Sequence, residues 1–318
     1  MQKKYFITVP FIALIAIFTL FIVGIIQSQS AHAAQSTVNL RSASPFAILS
    51  GTPNITDAGN TSVINGNVGL SPASGAGIGL NCSQVTGAVY SVDATGPLPC
   101  REINGPLMVT AKNDLTTAYT DAAGRTPLTT IPTELGGTTL VAGVYDSTST
   151  TFGITAGAGA LTLDGQNDPS SVFIFEAPFS GTGLTVGSGS TVTLTNGAQA
   201  CNVFWRVDTA SINSSATFVG TILALNSISV ANGATIQGRL LARNGNVTLI
   251  NDTITAPICA GNDTTSGETG SGSEDGIIPG FPNTGFTSTS SLLVGSIIAV
   301  LVLISSVVAY VFYKKRST

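Results

Sequence analysis

"ATFVGTILA" (216–224) and "ATIQGRLLA" (234–242) align with identities at Ala216/Ala234, Thr217/Thr235, Gly220/Gly238, Leu223/Leu241 and Ala224/Ala242, a spacing of 18 residues. Eighteen residues further on, Thr253-Ile254 repeats Thr235-Ile236. A period near 18 is too short for a helical repeat. It suits one coil of a β-solenoid, in which each coil buries its inward side chains on the next. Strand alternation then sends Ile212, Phe218, Ile222, Val230, Ile236, Leu240 and Ile254 inward. Thr217 and Thr235 point outward, with Val219 and Gln237 outward between the threonines. The same core appears upstream, where "INGNV" (64–68) matches "IQGRL" (236–240) as apolar residue, Gly, apolar residue. Thr191 precedes Thr217 by 26 residues, so the coils are uneven and their loops differ in length.

Working outward, short apolar-polar runs punctuated by Gly and Asn, such as "GLTVGSGSTVTLTNGA" (183–198) and "SISVANGATIQG" (227–238), signal many short strands. One stretch, 107–125, has helical spacing, with Leu115, Ala118, Tyr119 and Ala122 on one face and Gly124 as its stop. Phe173, Phe175, Phe204 and Trp205 are bulky enough to fill a wide section of the core. Asp164 and Asp168 sit in "LDGQNDPS", whose Asp, Gly, Asn and Pro spell a turn rather than an acid pair for catalysis.

The ends have a different character. Lys3 and Lys4, an apolar run from Tyr5 to Ile26 and an A-x-A site at Ala31-His32-Ala33 form the three parts of a signal peptide, 1–33. The run is also long enough to serve as an uncleaved anchor. Residues 260–280 are Gly, Ser, Thr and acid, a flexible linker. Residues 291–313 carry no charge and are followed by Lys314, Lys315 and Arg316, which reads as a transmembrane helix with a cytoplasmic tail.

Between the two ends, the chain keeps seven of its twelve basic residues and all sixteen acids, a net charge of −9. Such a surface has no grip on nucleic acid. The only histidine, His32, leaves with the signal. That excludes Ser-His-Asp and Cys-His chemistry and any His-ligated metal, and no cofactor or enzyme activity is expected. Cys82, Cys100, Cys201 and Cys259 lie in a compartment that permits disulfides. Cys82 and Cys100 flank one Gly/Pro-rich insertion and are paired, leaving Cys201 with Cys259.

Seven stretches in order, "NLRSASPFAILSG" (39–51), "TSVINGNVGLSP" (61–72), "DLTTAYTDAAGR" (114–125), "ELGGTTLVAGVY" (134–145), "SSVFIFEAP" (170–178), "NVFWRVD" (202–208) and "GRLLARNGNVTL" (238–249), resemble the microbial ice-binding-protein-like domain. The resemblance implies an irregular, triangular β-solenoid over 34–259 with one long helix, about 108–124, packed along a side. It also implies a cap insertion at about 72–106 and a discontinuous coil order, the N-terminal strands stacking beside C-terminal ones. It implies as partner ice or ordered water, met by a flat Thr/Ser face. The candidates are Thr191, Thr193, Thr217, Thr235 and Thr253, with Ser211, Ser229 and Thr248 on a neighbouring face. A second reading of the same fold is a surface adhesin for a glycan or protein, to which Arg206 on its strand lends a large cation. Near the C-terminus Phe281-Pro282-Asn283-Thr284-Gly285, then the apolar run and basic tail, resemble an L-P-x-T-G cell-wall sorting signal with Phe281 in the Leu position. That resemblance implies a sortase that joins Thr284 to a cell-wall amine, and a protein held at the cell surface.

Overall fold

The computed structural model describes residues 35–260 except 179, 180 and 182. The signal peptide, the sorting motif at 281–285 and the apolar run at 291–313 lie outside the described residues. Among the described residues no helix is long and apolar enough to cross a membrane.

The strands are short, pair in parallel, and line three faces of a coil. Face A holds, in spatial order, β7 (Arg101–Ile103), β6 (Val89–Ser91), β4 (Asn67–Leu70), β1 (Phe46–Ser50), the later halves of β20 (Thr235–Ala242) and β18 (Thr217–Ala224), β16 (Val203–Val207), β13 (Phe173–Ala177), β10 (Gly143–Ser147) and β8 (Leu128–Ile131). Face B holds β11 (Phe152–Ile154), β14 (Gly183–Val186), β17 (Thr209–Ile212), β19 (Ile228–Val230), β21 (Val247–Leu249), β2 (Ile55–Asp57) and β5 (Ile78–Gly79). Face C holds β9 (Thr139–Val141), β12 (Leu161–Asp164) and β15 (Val192–Thr195), then the first halves of β18 and β20, β22 (Thr253–Thr255) and β3 (Val63–Asn65).

The 18-residue repeat is one coil, with Thr217 paired to Thr235 and Thr235 to Thr253. Each long strand bends from face C into face A at its glycine. Gly220 takes φ +117°, a conformation that favours glycine. A Cβ on Gly238 would lie 1.9 Å from the Gly220 carbonyl oxygen, which is why both copies keep Gly there. The coil order is discontinuous as expected. Ile48 pairs with Leu240, Ile55 with Val247 and Ile64 with Ile254, so the N-terminal coil stacks on the C-terminal one. The insertion then extends the stack through β5, β6 and β7.

All seven residues assigned inward are buried, Val230 at 2% exposure and the others at 0%. Trp205 stacks on Phe175 with centroids 3.9 Å apart, and its Nε1 donates to the Val219 carbonyl oxygen at 3.1 Å. Phe204 differs from expectation. It is buried outside the solenoid, in a second core beneath helix α1 (Gly105–Ala123). Alternation explains this, because face A has two covered sides and the neighbour of an inward Trp205 must point outward. Helix α1 starts slightly earlier than expected, capped by the Asn104 side chain accepting from the Leu107 amide at 3.0 Å, and stops at Gly124. Met108, Ala111, Leu115, Ala118, Tyr119 and Ala122 pack on Phe46, Leu49, Ile174, Leu223 and Leu241. Among the described residues the two cores hold most of the buried apolar side chains. Cys82 is bonded to Cys100 and Cys201 to Cys259, as paired from the sequence.

Candidate functional site

Outward positions on face B form an unbroken rank. Register pairs run Gly153–Thr185, Thr185–Ser211, Ser211–Ser229, Ser229–Thr248, Thr248–Thr56 and Thr56–Gly79. Neighbouring members are about 4.8 Å apart across the strands. A second rank, Gly183, Thr209, Ser227, Asn246 and Asn54, lies one alternation earlier, about 7 Å away along the strands. These outward side chains are short and uncharged. The one acid at the margin, Glu134, opposite Gly153, is folded back to accept from the Gly136 and Thr155 amides.

The structure divides the eight sequence candidates between two faces. Ser211, Ser229 and Thr248 lie together at the centre of face B. Thr191, Thr217, Thr235 and Thr253 form one rank on face C, ended by Val63. Thr193 is not in that rank. It sits one alternation further along, in a row with Thr139 and Thr162. Val219 is also corrected: it is 5% exposed rather than outward to solvent, and packs in the core. Gln237 is exposed as expected. Face C is weakly continuous where these rows meet, since β15 joins β18 through the single bridge Thr191–Thr217. It also carries Asp164, whose carboxylate is held below its ordinary range by the Gln166 amide and the Asn196 side chain. The φ angles of Gln166 and Asn167, +52° and +64°, confirm that Asp164 leads into a turn.

Thr56 and Thr185 complete the face B rank and were missed in the sequence. A signal was available: "LTV", "ASI", "ISV", "VTL" and "ITD" share a small hydroxyl residue that follows an apolar or small one.

The cations lie elsewhere. Arg206 points outward from face A, but that side is covered by the helix. Its Nη1 donates to Glu176 Oε2 at 2.5 Å and its guanidinium lies 4.4 Å from the Tyr119 ring centroid. Arg206 is therefore engaged rather than offered to a partner. Arg243 stacks on the same ring at 4.7 Å. Lys112 Nζ donates to the Ala242 and Arg243 carbonyl oxygens, and burial, with the Arg243 charge adding, brings its pKa down to about 7. Among the described residues no group of three or more His, Cys, Asp or Glu is placed to hold a metal ion.

Residues 48–255 of this chain match the model of the ice-binding-like family. The chain belongs to that family. Among its ice-binding-like relatives, the ice-binding protein of Colwellia sp is 42% identical over 225 residues, spanning 69% of this chain and 84% of the relative. That of Flavobacterium frigoris is 40% identical over 195 residues, spanning 60% and 66%. Among solved structures, an ice binding protein from an Antarctic biological consortium superposes with TM-score 0.58 and 35% identity over 71% of this chain and 94% of its own. The ice-binding protein of the Antarctic ascomycete Antarctomyces psychrotrophicus gives 0.56 and 33% over 70% and 100%.

Proposed function

We propose that this chain adsorbs to ice, or to an ice-like layer of ordered water, through face B. The observation that carries the reading is the unbroken rank Thr185, Ser211, Ser229, Thr248, Thr56 on a ladder paired at every junction. An extended, repeating ligand needs a surface that is flat and regular over several coils. Short hydroxyls on paired strands can order water at low side-chain entropy cost, unlike Lys or Glu. Its relatives are ice-binding proteins, which supports the same reading. Purified 35–260 in supercooled buffer should shape ice crystals into facets and hold them over a measurable hysteresis gap. Unaltered discs would sink the proposal.

The second part of the proposal concerns place. The signal-like N-terminus and the FPNTG segment with its apolar run support export and attachment at the cell surface. The face would then act on ice outside the cell. Mass spectrometry of wall digests should find Thr284 joined to a cell-wall amine. Intact tail peptides through Lys314 in the membrane fraction, as the dominant species, would show the apolar run to be the permanent anchor instead.

A further inference from the structure

Residues 253–260 are fastened to the solenoid at several points. β22 lies between β20 and β3, and the next amide, Ala256, donates to the Asn65 carbonyl oxygen at 3.0 Å. Arg239, 8% exposed, donates from Nη2 to the Pro257 carbonyl oxygen and from Nε to that of Ser44, both at 2.8 Å. Cys259 is bonded to Cys201, and the Ala260 amide donates to Gln199 Oε1 at 2.7 Å. Cys201 and Gln199 sit at the turn that carries the chain from β15 on face C to β16 on face A. The N-terminal end arrives at the same corner. Gln35, Ser36 and Thr37 line one cleft of about 420 Å³ with Asn202, Cys259 and Ala260. Face B is the third side of the coil, away from this corner.

We propose that this corner is the molecule's handle. A pull arriving through the chain beyond Ala260 passes through the Cys201–Cys259 bridge into the start of β16 and bypasses β22, while face B stays free on the other side.

The need for such a bypass follows from β22 itself. It is three residues long and meets each neighbour in three register pairs, so few hydrogen bonds would carry the load. Its loss would expose Ile254, which is fully buried, and would leave β3 without its link to β20 on face C, the N-terminal coil then being paired with β20, among the described residues, only through β1 on face A. β16, in contrast, is anchored between β13 and β18 with Val203, Trp205 and Val207 all at 0% exposure. The inference rests on reading the C-terminal segment as a tether, but its test does not depend on ice activity.

Residues 35–260 carry both cores and can be pulled in an optical trap between a handle after Ala260 and an azide-bearing residue in place of Asn232, at the corner of faces B and C. The oxidised domain should extend in one event. The variant Cys201→Ser with Cys259→Ser should show an earlier step at several-fold lower force. That step frees the chain after Leu249, roughly 35–40 Å of extended length. If this variant does not fold, reducing the folded oxidised domain in the trap gives the same comparison, with Cys82→Ser and Cys100→Ser expected to keep the single event. An early step in the oxidised domain, or none after the bridge is removed, overturns the proposal. Absence of ice shaping by the same preparation would overturn only the face B reading.

Discussion

Faces B and C are built from the same coils by the same alternation, and both turn hydroxyl side chains to solvent, but their ladders differ in continuity. On face B every junction from β11 to β5 is made by two or more register pairs. On face C the strands β9, β12 and β15 meet the rest through one bridge, and beyond it Val219 is drawn into the core. A rank of four threonines thus exists on C, with Val63, 47% exposed, closing it. What the difference teaches is that residue type alone does not make an adsorbing surface. An extended ligand responds to how many consecutive coils keep the same height, and on that measure B exceeds C.

The largest expected effect tests this directly. Ser229→Tyr places a bulky ring at the centre of the face B rank and should hold the whole face away from ice, lowering thermal hysteresis by about tenfold or more. Thr235→Tyr, the matching change on face C, should leave most of the activity. Both are outward changes and should alter stability by less than about 0.5 kcal/mol. Melting temperature and hysteresis on the two purified variants decide it. The reverse pattern would move the site to the threonine rank on C.

The fold was legible because its repeat is short and its inward residues are apolar at period two. The 18-residue spacing located the coil and alternation placed Phe218, Ile236 and Ile254 correctly. The site was only partly legible. Thr217, Thr235 and Thr253 stand out because the last coils have equal length. Thr56 belongs to the N-terminal coil, and the link from face B's Thr185 to Ser211 spans 26 residues, so neither falls on the period. Arg206 and Val219 show a different limit. Alternation tells which way a side chain leaves its strand. It does not tell what long-range element lies there, a helix over Arg206 and core packing around Val219.

A smaller effect separates the two faces by stability. Removing the Cys201–Cys259 bridge opens a loop of 58 residues, worth about 4 kcal/mol by chain entropy. The amides of β22 and β3 on face C should then exchange faster with solvent, while β17 and β19 at the centre of face B keep their protection. Uniform acceleration on both faces would mean that the coils open as one unit and that the difference between the faces is confined to their surfaces.

Smaller still is the effect of pH at the corner where B passes into C. Asp252 is buried there. Its oxygens accept from the Ala234 and Ile250 amides, while Asp57 nearby accepts from the Ser62 amide and Gln84. Burial pushes the Asp252 pKa up to about 6, and the charge of Asp57 adds to the rise. Against its own burial, the hydrogen bonds from Ser62 and Gln84 hold Asp57 below its ordinary value. Between the ordinary 3.8 and about 6 the folded state binds more protons at Asp252 than the unfolded state does. The stability this group contributes is therefore present below that window and is lost as pH rises through about 6. Melting of 35–260 should be higher at pH 5 than at pH 7 by an increment that Asp252→Asn reduces. An identical increment in the variant would assign it to the other carboxylates.

The smallest expected effect is the one that most sharpens the comparison. Gln237 is the long outward side chain on β20, in register with Thr255 and next to the Thr217–Thr235–Thr253 rank. Gln237→Thr replaces it with a β-branched residue suited to an exposed strand, so stability should stay within about 0.5 kcal/mol of the starting protein. It would also make face C more regular, setting a second short hydroxyl level with Thr255 beside the existing rank. If continuity of the ladder is what matters, this gain in composition should leave hysteresis and crystal shape unchanged, because the single bridge at Thr191–Thr217 still interrupts the face. If hysteresis rises, or new facets grow, composition counts for more than continuity and face C takes part in adsorption. The informative version is made on the Ser229→Tyr background, where face B is blocked and any remaining activity must come from C.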